Sequence, residues 1–172
     1  MLPVAKSYET TFNACRVAMR ERPKPTDYAL LVLRMAGLLL ALGHGWGKIY
    51  GLTTGAEGFI GGVERLGLPL PQLFAWAAAL SEFVGGLLVA AGLLTRAAAF
   101  FAACTMATAV FARHQALLVF GAWIGVISPD PEALRAAGSP ERALLFLVIM
   151  LAVMLMGAGS VSLDRMLADR RR

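Results

Sequence analysis

Five ionisable side chains sit where a sequence this apolar has to account for them: Arg34, His44, Lys48, Glu82 and His114. Three of them fall in one stretch, LRMAGLLLALGHGWGK, ending at Lys48. On a helix of 3.6 residues per turn, Arg34, Gly37, Ala41, His44 and Lys48 share one face, since they are spaced alternately three and four apart. The remaining faces are mostly Leu, Met and Ala. A charged and small-residue stripe inside lipid-compatible surface has to turn towards other helices or a polar cavity. An imidazole there can donate a hydrogen bond or pass a proton, and a carboxylate can accept one.

Each of these residues has a structural reading beside the chemical one. Arg34, about two turns into its helix, either snorkels to the headgroups or pairs with Glu82. Glu82 lies about 15 Å of helix from either interface, so its carboxylate must be paired, hydrated or protonated. Either it locks helices together through Arg34 or His44, or it handles a ligand or proton. Lys48 and His114 read as interfacial anchors, His44 equally as an interhelical hydrogen bond or a working imidazole. Thr105 and Thr108 read as hydroxyls bonded back to their own helix, and Cys104 as a small packing residue.

The elements that must carry them follow from composition. The chain is 58% hydrophobic and 16% charged with a mean hydropathy of +0.67, against about 25% charged residues in an ordinary globular domain. We therefore expect an all-α polytopic membrane protein, a four-transmembrane-helix bundle within 172 residues. The expected spans are about 28–46, 72–94, 97–115 and 142–161. An amphipathic helix is expected in the basic segment 1–27, and a basic tail at 164–172. Short interfacial helices are expected between spans, one of them around Ala56 to Leu66. Residues 116–127 are apolar but too short to cross a core of about 30 Å, so they are re-entrant, interfacial or a tilted continuation of the third span.

The net charge of +5 does not imply a nucleic-acid partner, because the basic residues gather at the ends of apolar segments and read as topology signals. Placing both termini in the cytoplasm puts eleven of the sixteen Lys and Arg inside, leaving Lys48, Arg65, Arg113, Arg135 and Arg142 outside. The two cysteines, Cys15 and Cys104, form no CxxC pair or zinc set. No metal, haem or nucleotide is expected.

Several runs resemble the DoxX family of bacterial membrane proteins. They are His44-Gly45-Trp46-Gly47-Lys48, Leu66-Gly67-Leu68-Pro69 leading to Glu82 with Gly85-Gly86, Gly92-Leu93-Leu94-Thr95-Arg96, and Gly157-Ala158-Gly159-Ser160-Val161-Ser162-Leu163-Asp164. The resemblance covers about residues 28–168. It implies a four-helix bundle similar to the membrane subunit of thiosulfate:quinone oxidoreductase, in the bacterial cytoplasmic membrane with membrane lipids around it. The matching positions are His44, Lys48, Glu82, Arg96 and His114. Two departures stand out: Ala158 in place of a common Pro, and a longer loop from Ala116 to Glu141.

Two functions follow as expectations. One is a quinone-linked redox subunit with a pocket in the outer half of the bundle, His44 and Glu82 being the candidate catalytic pair and Arg34, Lys48 and His114 further candidate quinone contacts. Electrons would then come from a partner protein or soluble donor. The other is a non-catalytic anchor or scaffold for a partner complex, with a small-solute or proton pathway as a third reading.

Overall fold

The computed structural model describes residues 23–56 and 58–170. The expected amphipathic segment therefore lies almost wholly outside the described residues, as does Cys15. The described chain is helical throughout its ordered elements: α1 Pro25–Thr53, α2 Gly58–Glu64, α3 Pro71–Ala91, α4 Thr95–Arg113, α5 Ala116–Trp123, α6 Pro131–Ala137, α7 Glu141–Met156 and α8 Leu163–Arg170. Three of these, α1, α3 and α4, are long and apolar enough to cross a membrane, and α6 with α7 forms a pair bent by 44° that passes together as a fourth. The long helices pack antiparallel in a closed ring, α1 beside α3, α3 beside α4, α4 beside α7 and α7 beside α1. Large apolar side chains such as Val32, Leu39, Leu145 and Leu155 point outward, as lipid-facing surface requires.

Small residues decide how closely the helices approach. The centre is built from Ala75, Ala79, Ala98, Ala99, Ala102 and Ala103, closed by Leu40, Val89, Met150 and Val153. A methyl group on Gly37 would meet the Gly86 carbonyl oxygen at 2.5 Å, and one on Gly45 would meet the Phe83 backbone nitrogen at 2.5 Å. Thus α1 and α3 touch backbone to backbone at two levels, a packing that only small residues permit.

The boundaries depart from expectation in informative ways. The first span does not end at Trp46: α1 runs on to Thr53 and takes Lys48 with it. Nor does the fourth run to Val161, because α7 stops at Met156, where Gly157 takes φ 83°. The 16 residues of α7 rise only about 24 Å, so α6 is needed to complete the crossing length. Residues 116–127 are no continuation of the third span, since Gln115 at φ 43° breaks the chain before α5. Two π turns, Ala41–Gly45 in α1 and Ala109–Arg113 closing α4, lie towards the same end of the bundle.

The opposite end, where α1 begins and α7 finishes, is tied shut by side chains. Arg34 is 2% exposed. Its Nε donates to the Val89 carbonyl at 3.0 Å, Nη2 to Ala90 at 3.0 Å, and Nη1 to Ala158 and Val161 at 2.7 Å each. The first two are among the last carbonyls of α3, which carry the negative end of the helix dipole, Val89 accepting from the Gly92 amide as well. Arg34 therefore neither snorkels nor reaches Glu82; it staples the end of α3 to the chain after α7. Gly92, at φ 72°, leaves room for the guanidinium, where a Cβ would come within 2.6 Å of Nη2.

Asp164 makes the second tie. Its carboxylate accepts from the Leu94 amide at 2.7 Å, the Thr95 amide at 3.0 Å and the Thr95 hydroxyl at 2.8 Å. It thereby caps α4 from a distant part of the chain and holds Leu94 at φ 47°, a conformation that costs a non-glycine residue about 1–3 kcal/mol. Partial burial pushes this carboxyl up, but the Thr95 and Leu94 donors outweigh it and hold it below the usual carboxylate range. Asp27 joins the same end by accepting from the Ser160 amide at 2.9 Å.

Candidate functional site

The other end of the ring is hollow. A cavity of about 1090 Å³ opens between α1, α3, α4 and α7, roofed by α2 and by the α6–α7 turn. Glu82, His44, Lys48 and His114 all line it. Arg34 does not: it lies beside Val89 and Ala90, seven residues beyond Glu82 on α3, or about 10 Å along the helix.

Glu82 is fully buried, and its Oε1 is paired with the Lys48 ammonium. The burial agrees with the reading from sequence; the partner does not. From sequence Lys48 reads as an interfacial anchor just beyond a first span ending near residue 46. With α1 continuing to Thr53, Lys48 stays on the helical face turned to α3, with only 26% of its side chain exposed. Its ammonium also lies 4.9 Å from the centroid of the Phe59 ring, a cation–π arrangement supplied by α2. The second carboxylate oxygen, Oε2, is buried and has no hydrogen-bond partner among the described residues. A buried acceptor left bare costs about 1–3 kcal/mol, more when charged, so this oxygen is the strongest local demand for a donor.

The π turn explains how His44 comes to face the cavity. The extra residue in Ala41–Gly45 carries Gly45 into the seam against Phe83 and turns His44 towards α7. There its ring stands edge-on to Phe146, centroids 5.6 Å apart at 79°. His44 makes no hydrogen bond among the described residues, so the interhelical tie considered from sequence is not formed, and both ring nitrogens remain available. His114, just past the second π turn, holds the Ala137 carbonyl at 2.8 Å through Nδ1. The tautomer that donates there leaves Nε2 as an acceptor.

Sequence reasoning missed the basic rim. Arg65, Arg113 and Arg142 line the cavity mouth with Lys48, and Arg113 also donates to the Ala136 carbonyl at 3.1 Å. Their signal was present but was spent on topology, where they counted only as charges flanking apolar segments. Also missed was a cross-helix bond between the Ser81 and Thr105 hydroxyls, 2.5 Å apart, at the α3–α4 seam. Thr105 and Thr108 do bond back to Phe101 and Cys104 as expected. Chemically, the cavity offers one buried acid with a bare oxygen, one ammonium, two imidazoles and a cationic mouth over apolar walls such as Phe74, Phe101 and Phe146.

Comparison with curated proteins and with solved structures found no match. The model of the DoxX family matches residues 29–115, which spans α1 to α4 and includes His44, Lys48, Glu82 and His114 but not α7. That match covers half of the chain and bears out the resemblance read from the His44–Lys48 and Glu82 runs: this protein is a membrane protein of the DoxX family.

Proposed function

We propose that the cavity binds the polar head of a quinone and that the protein serves as the membrane subunit of a quinone-linked redox system. The observation that carries this reading is the bare, buried Oε2 of Glu82 in a cavity also lined by His44 and Lys48. The residues fit such a head. Lys48 and a donor nitrogen of His44 supply hydrogen bonds to ring oxygens, Phe146 and Phe74 offer apolar faces, and Oε2 of Glu82 passes a proton to a ring oxygen and accepts a hydrogen bond from the hydroxyl of the reduced head. A bound quinone would supply two-electron, two-proton redox chemistry, with electrons delivered by a partner protein or soluble donor. The chain's own part is to hold the head, limit bulk water at Glu82 and relay protons through His44 from the cationic mouth.

The staple end favours this reading over a solute or proton pathway. Leu40, Val89, Met150 and Val153 are fully buried between the cavity and Arg34, so the axis of the bundle is filled beyond Glu82. In this reading the protein sits in the bacterial cytoplasmic membrane with the Arg34 end inside and the cavity mouth outside. Reporter fusions after residues 55 and 135 should report outside, and after Thr95 inside.

The test of function is binding. The protein in lipid nanodiscs should bind decylubiquinol saturably, a hydroxyl of its head donating to Oε2 of Glu82, and Glu82→Gln should weaken it about 10- to 100-fold, the equivalent of one hydrogen bond to a charged group. No saturable binding to the wild type would overturn the proposal.

A further inference from the structure

Cavity and lipid face adjoin at the α3–α4 seam. On the outer side of the α3–α4 seam runs a second hollow, an apolar groove of about 460 Å³ lined by residues that include Leu80, Val84, Leu88 and Ala97. It shares Ala77, Ser81 and Phe101 with the polar cavity. Between Ala77 and Leu88 it follows about 17 Å of α3. Its wall carries almost no polar surface, the Ser81 and Thr105 hydroxyls at the junction satisfying each other. Ala77, Leu80 and Phe101 are exposed on the outer face of the bundle, where lipid would lie, whereas Glu82, one residue from Ser81, is fully buried.

We infer that the cavity is loaded sideways from the bilayer: its ligand is an amphiphile with a hydrogen-bonding head and one apolar tail, the head seated at Lys48–Glu82 and the tail lying in the α3–α4 groove. The inference deepens the quinone reading and rests on it for the identity of the head, though not for the route. Adjacency to the cavity is what selects the occupant. A ligand arriving from water would need only the basic mouth, and a two-chain phospholipid would leave its second chain outside the groove. A single tail is what an apolar groove of about 460 Å³, sharing Ala77, Ser81 and Phe101 with the cavity, accommodates.

Two carbodiimides read the route without assuming a ligand. Both react at a carboxyl, whose oxygen bonds to the central carbon while its proton goes to nitrogen; the adduct then either rearranges to an N-acylurea that keeps the whole reagent or is attacked by the neighbouring Lys48 amine, which forms an amide with Glu82 and releases the urea. Dicyclohexylcarbodiimide partitions into the bilayer, and its ethyl-dimethylaminopropyl counterpart stays in water. With the full chain in nanodiscs, intact mass and peptide mapping should show Glu82 modified by the apolar reagent, as the N-acylurea or as the Lys48 amide with net loss of water, both absent in Glu82→Gln. Ala77→Trp, an exposed position whose indole would plug the junction, should slow that reaction at least about tenfold while leaving the aqueous reagent's rate unchanged. Val32→Trp, on the lipid face of α1, should slow neither. No modification of Glu82 by the apolar reagent, or equal slowing of both reagents by Ala77→Trp, would overturn lateral loading. Lateral modification of Glu82 without decylubiquinol binding would sink the quinone reading alone.

Discussion

The two ends of this bundle hold their charges in opposite ways. At the closed end the two charges that tie the chain are saturated: Arg34 has four carbonyl acceptors and Asp164 three donors. At the open end the charge is left half-finished, with Glu82 paired to Lys48 through one oxygen and bare on the other. Both ends bury an ionisable group completely, so burial alone does not separate structure from function. What separates them is unspent hydrogen-bonding capacity beside empty space.

The comparison breaks most sharply at Arg34. Replacing it with Leu abandons four carbonyls at low dielectric, each bond to the charged group being worth about 1.5–3 kcal/mol; we expect the folded protein to be lost from mild detergent, read by size-exclusion chromatography. A folded Arg34→Leu protein would show that the closed end is dispensable. Next comes Lys48→Met, which leaves Glu82 uncompensated and should cost about 3–5 kcal/mol of thermal stability. Adding Glu82→Gln to it should restore most of that loss, because the open end needs neutrality rather than an ion pair. If the double variant is as unstable as the single, the pair is structural in the same sense as Arg34.

Asp164→Asn should cost less, about 1–3 kcal/mol, by weakening the cap on α4. Here pH provides a second reading. Since the folded-state carboxyl titrates below its ordinary value, its contribution is complete above the unfolded value near about 4 and is lost as pH falls towards the folded one. Thermal stability of the wild type should therefore fall with acidification below pH ~4 more steeply than that of Asp164→Asn. The smallest effect on stability is expected at His44→Gln, within about 0.5 kcal/mol, because His44 ties no helices. Its effect should appear instead as slower quinone-linked turnover with decylubiquinol binding kept. A large destabilisation would return His44 to the structural column.

Sequence carried the architecture because lipid leaves few choices: apolar runs, Pro and Gly breaks and the Glu82 stripe on α3 suffice to place four packed helices. The pairings were less legible. Trp46 reads as an interface marker, so Lys48, though on the stripe with His44, reads as an interfacial anchor rather than as the partner of Glu82. Arg34 was read through its side-chain length, when what fixes it are the carbonyls at the end of α3, which no residue type announces. The π turns have no compositional signature, so the stripe read at strict α-helical spacing set His44 where Gly45 belongs.

Those turns carry a consequence of their own. A π turn is one residue more than an α-helix needs, so removing a residue in Ala41–Gly45 would restore regular winding and leave Lys48 in nearly the phase it now has relative to Arg34. Straightening the turn at unchanged chain length is what would break the site, because it would carry everything after the turn round by about 100° and swing Lys48 away from Glu82 with no side chain having changed. The open end is thus written partly in winding, as a matter of phase between two halves of one helix, and relatives that share His44, Lys48 and Glu82 at the same spacing but wind that stretch as a regular helix would present a different site.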